Sequence, residues 1–307
     1  MAEGAVRSPV RRQLFRSMAR GLIRPALHPR FSVAAQRRWI AALTGTVPPP
    51  RGIQRYSVRM GGVPAERLDY RDGGDMALLF LHGGGYVFGS PRTHRSISGT
   101  LAREAGATVF APDYRLAPEY SCPAAVEDAM AAYRWLLDTG WPPARIAVAG
   151  DSAGGGLALA AMVALRDEGA AMPAALGLIS PWVDLTLAGE SMRERADADP
   201  MLQRAWLAQA ARLYAGPRGT EDSFCSPLFA DLGWLPPLFI QVGSDEILYS
   251  DAERLAERVR LAGGEAELHV FEDLWHDFHL HAGLLPEADA ALAELAGQLR
   301  SACQSAG

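Results

Sequence analysis

From Met76 onward the chain alternates short unbroken apolar runs with longer stretches of helical spacing, and that rhythm carries the first inference. Ala77-Leu78-Leu79-Phe80-Leu81 and Ile146-Ala147-Val148-Ala149 have no polar position on either face. Strands that are apolar on both faces are covered on both faces, as in parallel sheets. The predicted strands are 53–60, 66–70, 76–82, 108–112, 145–150, 176–180, 238–242 and 267–271, with helices at about 94–105, 124–138, 154–167, 250–262 and 287–300. Repeated βαβ units imply an α/β fold with a mainly parallel eight-stranded sheet between helices. Residues 1–45 also read as helical, before Pro48-Pro49-Pro50 breaks the pattern. Residues 182–225 are too long for an ordinary connection between strands. The expected organisation is one catalytic domain, 46–181 with 226–307, under a cap formed by 1–45 and the insertion 182–225. Within the first helix, Leu14, Phe15, Met18, Leu22 and Ile23 are expected on the buried side and the arginines on a solvated face.

Composition narrows the class. The 307 residues are 49% hydrophobic and 21% charged, with formal net charge −5. These values suit a globular protein and give no global electrostatic reason to expect nucleic acid. No run reaches the roughly 18–20 apolar residues of a membrane helix. All 30 basic residues are arginine, which reads as coding bias. Arginines through residue 24 interrupt any signal-peptide core, and although such a start also suits an organelle transit peptide, a surface helix is the plainer reading. Cys122, Cys225 and Cys303 are odd in number and widely spaced, which points to a reduced, cytoplasmic compartment. The expected partner is a small molecule.

The chemistry concentrates in three places. Gly150-Asp151-Ser152-Ala153-Gly154 fits G-x-S-x-G between a predicted strand and a small-residue helix, the setting in which a serine is held on a sharp turn above a sheet. His82-Gly83-Gly84-Gly85 ends an earlier strand. Acyl transfer builds negative charge on a carbonyl oxygen, and backbone N–H groups unobstructed by Cβ atoms answer that need. The glycine run, paired with the N–H of Ala153 after the serine, supplies such donors. A serine hydroxyl also requires a base, with an acid before it in the chain. His276 lies in the loop after the last predicted strand, where a base can lean over the strand ends, whereas His269 lies inside that strand. His276, His279 and His281 match no standard zinc spacing. The acid follows the strand 238–242, where Asp245 and Glu246 are adjacent and position alone does not choose.

The motifs His82-Gly83-Gly84-Gly85-Tyr86, Tyr114-Arg115-Leu116-Ala117-Pro118-Glu119, Gly150 to Gly155, Ser180-Pro181-Trp182, Asp199-Pro200-Met201 and Trp275-His276-Asp277-Phe278 occur in this order. From about residue 55 onward the chain resembles the hormone-sensitive-lipase-type (family IV) bacterial carboxylesterases of the α/β-hydrolase superfamily, in the subgroup with Gly-Asp-Ser-Ala-Gly. The resemblance implies a serine carboxylesterase without cofactor or metal, with Ser152 as nucleophile, His276 as base, the N–H groups of Gly83, Gly84 and Ala153 as oxyanion hole and Asp199 supporting the site. The family's acid-x-Leu pattern, and its usual separation of about 30 positions between acid and histidine, fit Glu246-Ile247-Leu248, while Asp is the commoner acid in such triads. Where the family often has Gly after the histidine, this chain has Asp277. Short to medium acyl esters are the expected substrates. A homodimer through the strand 267–271, expected at the sheet edge, is also implied. An amidase or arylacetamide deacetylase with the same triad is the enzymatic alternative, and a hormone receptor lacking a working triad is the non-enzymatic one.

Overall fold

The computed structural model describes residues 8–44 and 50–306. The readings placed on residues 1–7, 45, Pro48 and Pro49 lie outside the described residues. Eight strands form one sheet in the order β1-β2-β4-β3-β5-β6-β7-β8. They are β1 (Ile53–Met60), β2 (Val63–Tyr70), β3 (Ala77–Leu81), β4 (Thr108–Pro112), β5 (Ile146–Asp151), β6 (Ala175–Ile179), β7 (Leu238–Gly243) and β8 (Ala266–Phe271). β1 and β2 pair antiparallel, as do β2 and β4; all later pairings are parallel. Each predicted strand is present with ends shifted by a few residues at most, the usual uncertainty where the ladder frays.

The unbroken apolar runs have a direct cause. In β3, Leu79 and Leu81 face one core, whereas Leu78 and Phe80 face another; in β5, Val148 opposes Ala147 and Ala149 in the same way. The first core is closed by α4 (Ala124–Asp138), α5 (Ala153–Asp167) and α8 (Tyr249–Leu261). The second is closed by α3 (Arg95–Ala105) and α9 (Pro286–Ser305), which pack on each other. With both faces buried, alternation has nothing to mark. β8 is an edge strand, as expected from sequence.

The N-terminal segment forms a helix, Pro9–Met18, continued by a π-turn over Ala19–Ile23, and a second helix, Val33–Thr44. Its orientation corrects the expectation in part: Phe15 and Ile23 are half-buried and packed against core residues, but the other three are not. Leu14, Met18 and Leu22 are 55%, 42% and 40% exposed, while the arginine face makes the attachments. Arg16, Arg20 and Arg24 donate to the carbonyls of Ala198, Asp197 and Ala196, and Arg12 pairs with Asp273 and Glu287. Spacing of four residues sets these guanidinium groups in one row, and the carbonyl-rich turn at 196–199 satisfies them. The insertion contains a short helix, Ser191–Glu194, and a longer one, Arg204–Ala215. Trp206 on the longer helix donates to Gln36 Oε1 at 3.0 Å, and Gln203 to the Arg24 carbonyl at 2.8 Å, so insertion and N-terminal helices are joined by hydrogen bonds.

The turn from β5 into α5 runs against the end of β3. A Cβ at Gly154 would lie 2.0 Å from the Leu81 carbonyl oxygen, and one at Gly150 would lie 2.3 Å from the Gly154 carbonyl. These clashes are with backbone, which has no rotamer to yield. Gly154→Ala is therefore expected to destabilise the fold by at least about 1–3 kcal/mol, read as a lowered urea midpoint at unchanged m-value; an unchanged midpoint would show that the turn can open.

Candidate active site

Five loops at the C-terminal ends of parallel strands converge, the position at which open α/β sheets present ligand sites. β5 ends in Ser152, which takes φ +51° and ψ −120° between small neighbours. Its N–H donates to the Ile179 carbonyl and its carbonyl accepts from Trp182, which holds the strained turn between β5 and β6. The hydroxyl Oγ is 3.0 Å from His276 Nε2. His276, in the loop after β8, has its Nδ1 2.8 Å from Glu246 Oε2. Glu246 follows β7 and is fully buried; its other oxygen accepts from the Gly243 N–H at 2.6 Å and the Ser180 hydroxyl at 2.9 Å. Both carboxylate oxygens are thus satisfied, as a buried charge requires. The structure brings Ser152, His276 and Glu246 into one hydrogen-bonded chain.

Asp245 is outside that chain. Its carboxylate is bound by Arg16 and accepts from Ser244. Adjacent residues after β7 point in opposite directions, one into the site and one toward the N-terminal helix. Asp199 reaches the same loop from the insertion, accepting from the N–H groups of Ile247, Met201 and Leu202. Burial raises its carboxyl above the ordinary range, against the pull of His276 and these three donors.

The glycine run behaves differently from the expectation at one position. The Gly83 N–H donates to Asp151 Oδ1 at 3.0 Å and is not free for a substrate oxygen. Gly83 is therefore withdrawn as a donor, because the first glycine after β3 is still packed against the turn at Asp151. Among the described residues the N–H groups of Gly84, Gly85 and Ala153 have no hydrogen-bond partner. Gly85 has φ +61°, and a Cβ there would meet the Trp206 ring at 2.7 Å, so the insertion presses directly on this loop. A run of three glycines has no internal signal for which N–H is already taken; the acid preceding the serine supplies it only once the fold is known.

Asp151 belongs to a buried group the sequence reading missed. Its Oδ2 is 3.2 Å from His94 Nε2, and His82 stacks between His94 and Tyr114. Burial works against the charged forms, yet each partner holds the other ionised: His94 is raised and Asp151 lowered from their ordinary values. Burial pushes His82 down to about 3, so it stays neutral. The other histidines point elsewhere. His279 contacts Gln241 at 3.1 Å, His281 stacks on Phe15, and His269 contacts Glu294 at 2.6 Å. Among the described residues no group of three or more His, Cys, Asp or Glu is arranged to hold a metal ion.

A narrow cleft over Ser152 and His276 is walled by Gly84, Gly85, Phe88, Leu202 and Trp206. Beside it, sharing Ile23, Thr44, Thr93, Met201, Asp277 and Leu280 as walls, lies a cavity of about 250 Å3 that Phe15, Met18 and Leu22 complete. Met18 and Leu22, exposed rather than packed, line this cavity together with the half-buried Phe15 and Ile23.

Comparison with known proteins agrees with this fold. Residues 78–280 match a family model described as the alpha/beta hydrolase fold. The chain is 45% identical over 225 residues to an acetyl-hydrolase of Streptomyces hygroscopicus, covering 73% of this chain and 75% of that protein. It is 35% identical over 245 residues to an esterase of Acinetobacter venetianus, covering 80% and 81%. A crystal structure of an esterase from the bacterial hormone-sensitive lipase family superposes with a TM-score of 0.92 at 43% identity, covering 96% of this chain and 98% of that one. No helix among the described residues is long and apolar enough to cross a membrane. Sequence, topology and relatives agree: the chain belongs to the hormone-sensitive-lipase-type family of α/β-hydrolases and is a carboxylic ester hydrolase.

Proposed function

We propose that Ser152, His276 and Glu246 form the catalytic triad of this esterase, and that the Gly84, Gly85 and Ala153 N–H groups form its oxyanion hole. The observation that carries the reading is the Ser152–His276–Glu246 hydrogen-bond chain beneath a narrow cleft. Ser152 Oγ attacks the ester carbonyl while its proton passes to His276 Nε2, and the three N–H groups take the charge on the carbonyl oxygen. Collapse breaks the C–O bond, and the alcohol leaves with the proton from Nε2. Water, deprotonated by the same nitrogen, then releases the acid. Glu246 holds the tautomer that leaves Nε2 free and stabilises the imidazolium formed during attack. Residues 8–44 and 182–225 act as a cap whose Trp206 and Ile23 wall the substrate space. We place the chain in the Gly-Asp-Ser-Ala-Gly subgroup on the strength of residues 150–154.

Short acyl groups are the substrates this reading favours. A relative named as an acetyl-hydrolase supports it, as does the narrowness of the cleft over Ser152 and His276. Pairing of β8 with a second copy is proposed because β8 is an uncapped edge. A cytoplasmic location is proposed because Cys122, Cys225 and Cys303 are free thiols.

Turnover of Ser152→Ala is expected to fall at least about a thousand-fold with the fold retained, and fluorophosphonate should label Ser152 alone. On the same ester, Glu246→Gln should lose on the order of 10^4 in kcat through the wrong tautomer, and Asp245→Asn far less; the reverse ranking would transfer the role. Butanoate esters should be cleaved faster than hexadecanoate esters, and a preference for the longer chain would show an open-ended acyl site. Sedimentation at micromolar concentration should give a dimer; a 33.0 kDa species would remove the β8 pairing.

A further inference from the structure

The triad as proposed makes no use of Asp277, yet its carboxyl stands against the reacting nitrogen. Asp277 Oδ2 lies 3.0 Å from His276 Nε2, the same distance as Ser152 Oγ. The side chain is 4% exposed, and Oδ1 has no hydrogen-bond partner. The backbone fixes this placement, with φ +51° and ψ 36° at Asp277 in the left-handed region. A nitrogen lone pair and a carboxylate oxygen are both acceptors and repel at this separation. The contact becomes attractive only with a proton between them, either on Nε2 or on Oδ2. In either form the lone pair that must take the Ser152 proton is occupied.

We propose that Asp277 is a second carboxylate on the catalytic imidazole, which keeps one proton on the His276–Asp277 contact and thereby sets the pH above which the esterase turns over. The proposal rests on the reading of Ser152 as nucleophile and His276 as base. Once that proton has left, the same carboxylate assists the reaction, because the proton arriving from Ser152 makes an imidazolium with acidic neighbours on both nitrogens.

The surroundings support the stored proton. Burial opposes the imidazolium, but Asp277 and Glu246 outweigh it and hold His276 well above the ordinary histidine range. Burial likewise pushes Asp277 up to about 6, against the pull of His276. Facing the pair are Asp199 from the insertion, Asp151 at the end of β5 and His94 from the 91–94 turn. His279 and His281, on the same loop, are pushed by burial to about 3 and 4 and add no charge near neutrality. His94 is ion-paired with Asp151, so the residual field at His276 comes from Glu246, Asp199 and Asp277 and favours the proton.

The test is the pH profile of kcat/KM, which reports the ionisation of the free enzyme, measured from pH 5 to 10 on a neutral acetate ester. Asp277→Gly suits the left-handed backbone, and Asp277→Asn preserves size. Both variants are expected to move the midpoint of the rising limb down by about one pH unit or more, the effect of removing a charge in contact. The alkaline plateau should fall by up to about tenfold per unit of that shift. Wild type and variant profiles therefore cross. The rate of fluorophosphonate labelling at Ser152 should follow the same limb. A plateau lowered at an unmoved midpoint in both variants, or profiles that superimpose, would overturn the role of Asp277 while labelling at Ser152 kept the triad intact. Labelling elsewhere, with Ser152→Ala active, would overturn both.

Discussion

The turn at Ser152 depends on a backbone-to-backbone approach: Gly154 comes so close to the end of β3 that no side chain fits between them. That approach holds the serine hydroxyl above the sheet and sets the N–H groups at the start of α5 beside the glycine loop that follows β3. The strain of φ +51° at Ser152 is held by hydrogen bonds to Ile179 and Trp182 on the neighbouring connection. Such conformations persist where surrounding structure over-determines them. Here the determinants are the parallel register of β3, β5 and β6 and the absence of Cβ atoms at the crossing point.

Around this turn, charge is arranged in two buried groups. Asp151 and His94 sit behind the glycine loop, where Asp151 fastens the Gly83 N–H and leaves the next two glycines unpaired. Glu246, Asp277 and Asp199 surround His276. The first group fastens the glycine loop, and the second places negative charge around the His276 imidazole. Each carboxylate is buried with backbone N–H donors or a charged partner, which is how such groups are tolerated in a low-dielectric interior.

The region above the site is attached by polar contacts more than by apolar packing. Arg12, Arg16, Arg20 and Arg24 form a row that meets Glu287, Asp245 and the carbonyls of 196–198, while leucine and methionine of the same helix line a cavity or face outward. Hydrophobicity alone placed Leu14, Phe15, Met18, Leu22 and Ile23 on one buried side, and only Phe15 and Ile23 pack there. Apolar residues around a substrate space need not be packed to be functional, and arginine is well suited to bridging backbone carbonyls and carboxylates at an interface.

Residues 77–81 and 146–149 already specified buried strands of a parallel sheet, since a strand apolar at every position is one covered on both faces. Local motifs likewise specified the serine turn and the histidine loop, because backbone strain and glycine content are written in adjacent residues. What followed β7 was open at that level: Asp245 and Glu246 share a loop, and only the direction each side chain takes separates a residue bound to Arg16 from one bound to His276. The same holds for the glycine loop, where one N–H of three is consumed by Asp151, and for Asp277, whose contact with Nε2 exists only because the backbone turns left-handed there. Sequence determined these chemical groups and their order along the strands. Tertiary structure decided which atoms meet, because hydrogen bonding and proton affinity depend on separations of a few tenths of an ångström between residues far apart in the chain.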